Sequence, residues 1–256
     1  MLELINQFVY RPESMFAAPG FKPDRLGLVY EEASFAAADG TRLSGWYLSA
    51  AEPWLAMLYS HGNAGDIRDW VHAAPPFIEA GISLLIWDYR GFGDSAGRPS
   101  EKGLYQDGLA AWGWLRERAA VDRLPAAMLG KSLGSAVAIH SAASLPAADG
   151  PTALVLDSAF TSMRELVARH ATWVPRASIP RLFESLELAP QVRCPTLVLH
   201  GGQDMLVPVE EGRQIYEALA GPKQIKEIPA AGHNDISLYP EYTRWIVEFL
   251  REAVSD

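Results

Sequence analysis

A single cysteine, Cys194, occurs in 256 residues, so no disulfide can form within the chain. That fits a reducing compartment. Cys194 precedes Pro195 and an apolar run, which reads as a small buried residue rather than a nucleophile. No stretch approaches the roughly 18 consecutive apolar residues of a membrane span. The opening segment, Met1 to Tyr10, lacks the basic start, apolar centre and small-residue cleavage site of a signal peptide. These absences lead to the expectation of a cytoplasmic protein with no stable membrane anchor, although Leu2 to Tyr10 offers a short apolar stretch for membrane contact.

Positive charge is also scarce. Lys and Arg number 22 against 31 Asp and Glu, a net charge of −9. A general nucleic-acid surface needs clustered cations, so this balance speaks against one. There is no His-Glu-x-x-His, no cysteine pair and no cluster of His and carboxylates at ligand spacing. Neither a metal nor a cofactor is expected.

The remaining composition, 49% hydrophobic and 21% charged, suits one well-packed globular chain. Short aliphatic runs alternate with longer helical patterns, the signature of a parallel sheet covered on both faces. Ala33–Ala37 and Leu43–Ser49 flank Asp39-Gly40, a hairpin signal, so the sheet should start antiparallel. Buried strands are expected at Leu55–Ser60, Ile82–Trp87, Ala126–Leu129, Ala153–Leu156 and Thr196–Leu199, with a last strand at Gln224–Ile228. Asp66 is placed to cap a helix running towards Glu79, and Tyr239–Val254 should form an amphipathic closing helix. Between about 159 and 193 only short helical pieces appear, broken by Pro175, Pro180 and Pro190. This reads as a small lid, with Phe160, Met163, Trp173, Ile179 and Phe183 available to line a pocket.

Gly130-Lys131-Ser132-Leu133-Gly134 follows an apolar strand and precedes a run of small residues. A serine hydroxyl needs a base and must be held clear of the sheet, and a tight strand-to-helix elbow meets the second need. Gly93-Asp94-Ser95-Ala96-Gly97 has the same spacing, but Arg98-Pro99 stops a helix from starting at that serine. Ser132 is therefore the expected nucleophile. Of six histidines, His72, His140 and His170 lie inside helical patterns, while His61 and His200 end strands. His233 lies in a glycine-bearing loop between the last strand and the last helix, which suits a general base. Asp204, in the turn after Thr196–Leu199, is the favoured partner for that ring. Asp157, one strand earlier, stays open as an alternative, and Asp235 suits a helix cap. Acyl transfer also needs two backbone N–H groups facing the oxyanion. Leu133 supplies one, and Asn63 in His61-Gly62-Asn63-Ala64-Gly65 the other.

Together these residues, in the chain order Ser, Asp, His, resemble the α/β-hydrolase superfamily from about Glu31 to Val254. The His61–Gly65 loop, Asp88 to Gly97, Ser158 to Ser162 and Gly232 to Asp235 are similar to the small-capped Bem46-like hydrolases, relatives of protein depalmitoylases and bacterial esterases. The resemblance implies an α/β fold with an eight-stranded, mostly parallel sheet, helices on both faces and a lid after the sixth strand. It implies a structural turn at Ser95. Members of that group often carry a membrane anchor or a palmitoylated cysteine cluster, which this sequence does not show. The short lid directs the expectation to a small-molecule carboxylic ester. A thioester, of acyl-protein or acyl-CoA type, comes next, and an aminopeptidase-like amide last. Two readings from other classes stay open: a haloalkane-type hydrolase, which would need a carboxylate at position 132, and a non-catalytic binding protein on this fold, which the apparently complete set of three groups disfavours.

Overall fold

The computed structural model describes residues 9–13 and 20–255. Most of the N-terminal stretch considered for membrane contact, Leu2 to Phe8, lies outside the described residues. Among the described residues no helix is long and apolar enough to cross a membrane.

Eight strands form one sheet in the order β1-β2-β4-β3-β5-β6-β7-β8. β1 (Tyr30–Ala36) and β2 (Arg42–Leu48) pair antiparallel around the Asp39-Gly40 turn. Gly40 adopts φ 82° there, and the Asp39 carboxylate accepts the Thr41 N–H at 3.1 Å. β2 also runs antiparallel to β4 (Ile82–Asp88). All other pairings are parallel, through β3 (Leu55–Ser60), β5 (Ala126–Lys131), β6 (Leu154–Asp157), β7 (Thr196–Gly201) and β8 (Lys223–Ile228). β3 and β4 are buried along their whole length, as strands covered on both faces must be.

Side chains alternate across a strand, and the core divides accordingly. Leu58, Leu85, Met128, Leu154 and Val198 belong to one apolar cluster, whereas Met57, Leu84, Leu129, Val155 and Leu197 belong to another. The first cluster takes in α3 (Glu101–Val121) and α4 (Leu133–Ser144). The second takes in α1 (Ile67–Trp70), α2 (Pro75–Glu79) and the closing helix α8 (Pro240–Ser255). α7 (Val209–Ala218) packs beside β7 and β8.

One expectation needs correction. The helix anticipated from Asp66 to Glu79 is broken into α1, a 3-10 turn at Val71–Ala73, and α2. Asp66 does cap its start, accepting the Arg68 N–H at 2.9 Å. Pro75 and Pro76 lack the N–H groups a continuous helix requires, so a new helix begins at Pro75.

The segment after β6 contains α5 (Met163–His170) and α6 (Ser185–Leu188), joined by loops and one 3-10 turn at Arg176–Ser178. Its residues Phe160, Met163, Leu166, Ile179, Phe183 and Val192 are part of the α3/α4 cluster. The insertion is thus rooted in the core rather than resting on it.

Candidate active site

The parallel strands end at one edge of the sheet, and the loops leaving that edge carry the candidate residues. β5 ends at Lys131, and Ser132 follows with φ 52° and ψ −113° before α4 begins at Leu133. A positive φ is costly for a residue with a Cβ, and the surroundings hold it in place. A Cβ on Gly130 would come within 2.3 Å of the Gly134 carbonyl oxygen, and one on Gly134 within 2.0 Å of that of Ser60. Only glycine lets strand and helix approach so closely. The Ser132 N–H donates to the Asp157 carbonyl at 2.8 Å, and the Ser132 carbonyl accepts the Ser135 N–H and hydroxyl at 2.9 and 2.6 Å. Leu133 is the first residue of α4, so its N–H is among those with no partner inside the helix.

The loop after β7 turns on Asp204. One carboxylate oxygen accepts the N–H groups of Leu206 and Val207 at 2.9 and 2.7 Å. The other lies 2.7 Å from Nδ1 of His233. Burial raises the Asp204 pKa, but the hydrogen bond and charge of His233, with the Val207 N–H, outweigh it and leave the carboxyl below its ordinary value. The two loops are also joined by their backbones, the Gln203 N–H donating to the Ala231 carbonyl at 2.8 Å. Asp235 does not cap a helix with its side chain as expected. Its carboxylate accepts the Gly232 N–H at 2.7 Å and braces the His233 loop from within.

The other polar residues are engaged elsewhere. The Ser95 hydroxyl donates to the Asp88 carbonyl at 2.7 Å and accepts the Ser44 N–H at 2.9 Å, which makes it part of a turn against β2. The Asp157 carboxylate is wholly buried and accepts Lys131, Ser158 and Tyr242. His200 is held by the Val207 carbonyl at 2.8 Å, and burial lowers its pKa. His61 lies 2.7 Å from the Gly62 carbonyl through Nδ1 and 3.4 Å from Asp88 through Nε2. Burial pushes the Cys194 thiol up to about 11, far from a thiolate at neutral pH.

Ser132, Leu133 and Asn63 line a cavity of about 310 Å³, and Phe160 and Met163 from the lid line it too. Trp173 does not. It lies beyond the end of α5, 78% exposed, in the stretch between α5 and the 3-10 turn at Arg176–Ser178. Ile179 and Phe183 are buried in the core and do not line the cavity either. The sequence did not point to Val9, Arg11, Leu166, His170, Leu206 or Val207 as lining residues. Leu166 and His170 follow Met163 at helical spacing, a signal that was available once α5 was recognised. Arg11 carried no such signal. It reaches the site because its N–H donates to the Asn63 carbonyl and its carbonyl accepts the Gly65 N–H, each at 2.9 Å.

A model of the serine aminopeptidase family S33 matches residues 51–186, just over half of the chain. The chain belongs to this α/β-hydrolase family. The match takes in the Asn63 loop and the Ser132 elbow of the hydrolase and ends before Asp204 and His233. An uncharacterized protein of Mycobacterium tuberculosis is 41% identical over 203 residues, 78% of this hydrolase and 71% of the relative. Lysophosphatidylserine lipase ABHD12 of Mus musculus is 32% identical over 237 residues, 81% of this chain but 59% of its own length. Among solved structures, an esterase of Pyrococcus furiosus superposes with a TM-score of 0.80 at 20% identity, covering 95% of this chain and 98% of the esterase. That likeness is one of fold. Membership of this family makes the chain an enzyme of the hydrolase class.

Proposed function

We propose that the chain is a serine hydrolase that cleaves a small carboxylic ester through an acyl-enzyme. The observation that carries this reading is the 2.7 Å hydrogen bond between Asp204 and Nδ1 of His233, with Leu206 and Val207, whose N–H groups Asp204 holds, lining the same cavity as Ser132. Ser132 Oγ attacks the ester carbonyl while His233 Nε2 takes its proton. Asp204 fixes the Nδ1–H tautomer and stabilises the imidazolium that forms. The negative charge arising on the carbonyl oxygen is met by the N–H groups of Asn63 and Leu133. Collapse expels the alcohol, which takes the proton from His233. Water then repeats the sequence on the acyl-enzyme and releases the acid.

Two features favour an ester over an N-terminal amino acid. Recognition of a free α-ammonium calls for a carboxylate, and among the described lining residues there is none. The basic side chains of Arg11 and His170 occupy the rim instead. Val9, Leu133, Phe160, Met163 and Leu166 offer an apolar wall for a short acyl group. The volume is at the small end of ligand sites, roughly 300–1,000 Å³.

Ser132→Ala is expected to lower p-nitrophenyl ester turnover by roughly 10⁴-fold or more and to abolish labelling by a fluorophosphonate, with an unchanged circular dichroism spectrum. Undiminished turnover in the purified variant would rule the assignment out. A panel of esters, thioesters and aminoacyl amides, compared by kcat/KM, should rank short acyl esters first.

A further inference from the structure

Lys131 is an ionic side chain set in the interior next to the nucleophile, and the reaction as described makes no use of it. It is 3% exposed. Its ammonium lies 3.1 Å from each carboxylate oxygen of Asp157 and 2.9 Å from the backbone carbonyl of His233. Asp157 in turn accepts the Ser158 hydroxyl at 2.9 Å and the Tyr242 hydroxyl, from α8, at 2.9 Å. An ion pair taken out of water gains little net stability over apolar residues of the same volume, so its presence calls for another reason. The three acceptors give one. They belong to the end of β6 and to the loop that carries the base, and the donor is covalently next to Ser132.

We infer that Lys131 is a positioning residue, a tether that sets the distance and angle of the His233 ring relative to Ser132. The inference rests on the assignment of Ser132, Asp204 and His233 given above. The Asp204 hydrogen bond fixes one ring nitrogen, and the contacts from Gln203 and Asp235 hold the loop at Ala231 and Gly232, before His233 is reached. Lys131 adds a hold on the backbone of His233 itself, from the neighbour of the nucleophile. Asp157 keeps the ammonium in place and cancels its charge, so the tether does not oppose the imidazolium. Tyr242 extends the hold to the helix that follows the loop.

The test compares two double variants that leave no unpaired buried charge, Lys131→Met/Asp157→Asn and Lys131→Gln/Asp157→Asn. Only the second keeps an N–H donor that can face the His233 carbonyl. The Met variant is expected to lose roughly 10- to 100-fold in kcat, because a slight misplacement of a reacting group has that order of effect. KM should stay within about twofold, since the substrate cavity is untouched. The downfield proton resonance of the His233–Asp204 hydrogen bond should weaken and broaden, which packing loss elsewhere would not cause. The Gln variant should recover part of the rate. A Met variant with kcat within about twofold of the parent, or equal losses in both variants, would overturn the tether. If the Met double variant does not fold, Lys131→Leu/Asp157→Asn, which likewise leaves no buried charge unpaired, is read in the same way. Failure of the underlying assignment is distinguishable. A fully active Ser132→Ala removes the triad, whereas an inert Ser132→Ala beside a fully active Met variant removes only the role of Lys131.

Discussion

Asp204 gathers three donors on two oxygens, and what each one does can be separated by substitution. Asp204→Asn keeps the acceptor that holds Leu206 and Val207 but offers an amide where Nδ1–H needs a carboxylate. The ring then favours the wrong tautomer, and kcat should fall by roughly 10⁴-fold with little change in KM. The same carboxyl has a pH signature. Its pKa in the folded chain lies below the ordinary value, so the folded state releases this proton more readily than the unfolded chain does. The stability it contributes is therefore full above the ordinary aspartate pKa of about 3.9 and is lost as pH falls through the lower folded value. Urea midpoints measured against pH should show this loss in the parent chain and a flatter acid limb in Asp204→Asn. At this scale the placement of the candidate residues is legible, whatever their role. Ser132, Asp204 and His233 each follow a strand and sit in small-residue turns, which leaves a local mark. The outward turn of Trp173 is not legible, because an aromatic in such a segment has the same sequence pattern whether it turns inward or outward, and its exposure depends on where the chain turns after α5.

Among the elements, the lid is held by a contact that a sequence pattern does not announce. Glu211, buried on α7, accepts the Thr161 N–H at 2.8 Å and also its hydroxyl. This fixes the chain where it leaves β6 and where Phe160 and Met163 turn towards the cavity. Glu211→Ala leaves the Thr161 donors buried without that acceptor, at a cost of about 1–3 kcal/mol. The melting temperature should drop by several degrees, and KM should rise more than kcat falls. The strands were the most readable elements, since continuous burial leaves a continuous apolar run. The broken helix between Asp66 and Glu79 was less so. Its capping residue shows in the sequence, but the pair Pro75-Pro76 decides where it breaks, since two missing N–H groups outweigh a favourable apolar spacing.

For the molecule as a whole, the two apolar clusters share every central strand, and the lid belongs to one of them. Loss of either face therefore uncovers the sheet that supports the other. Far-UV circular dichroism and tryptophan fluorescence should report one coincident unfolding transition in urea. Limited proteolysis under native conditions should spare residues 163–188. An early cut there, or a separate first transition, would mean that the lid opens independently. The sheet order follows from alternating strand and helix signals, which any reader of the sequence can collect. The Val9–Arg11 segment shows the limit of that approach. Val9 and Tyr10 are buried in the core, but the place of Arg11 beside Asn63 rests on backbone hydrogen bonds, and these are blind to side-chain identity.

The elbow at Ser132 has one further consequence. A serine held at φ 52° is held against its own preference, and the standing penalty is of order 1–3 kcal/mol. Glycine at the same position would release that strain, since it adopts positive φ freely. The variant best suited to the backbone is thus one with no hydroxyl to offer. On the proposed reading, catalysis and durability compete at this single residue, and selection for heat resistance alone would drift towards a chain without the nucleophile.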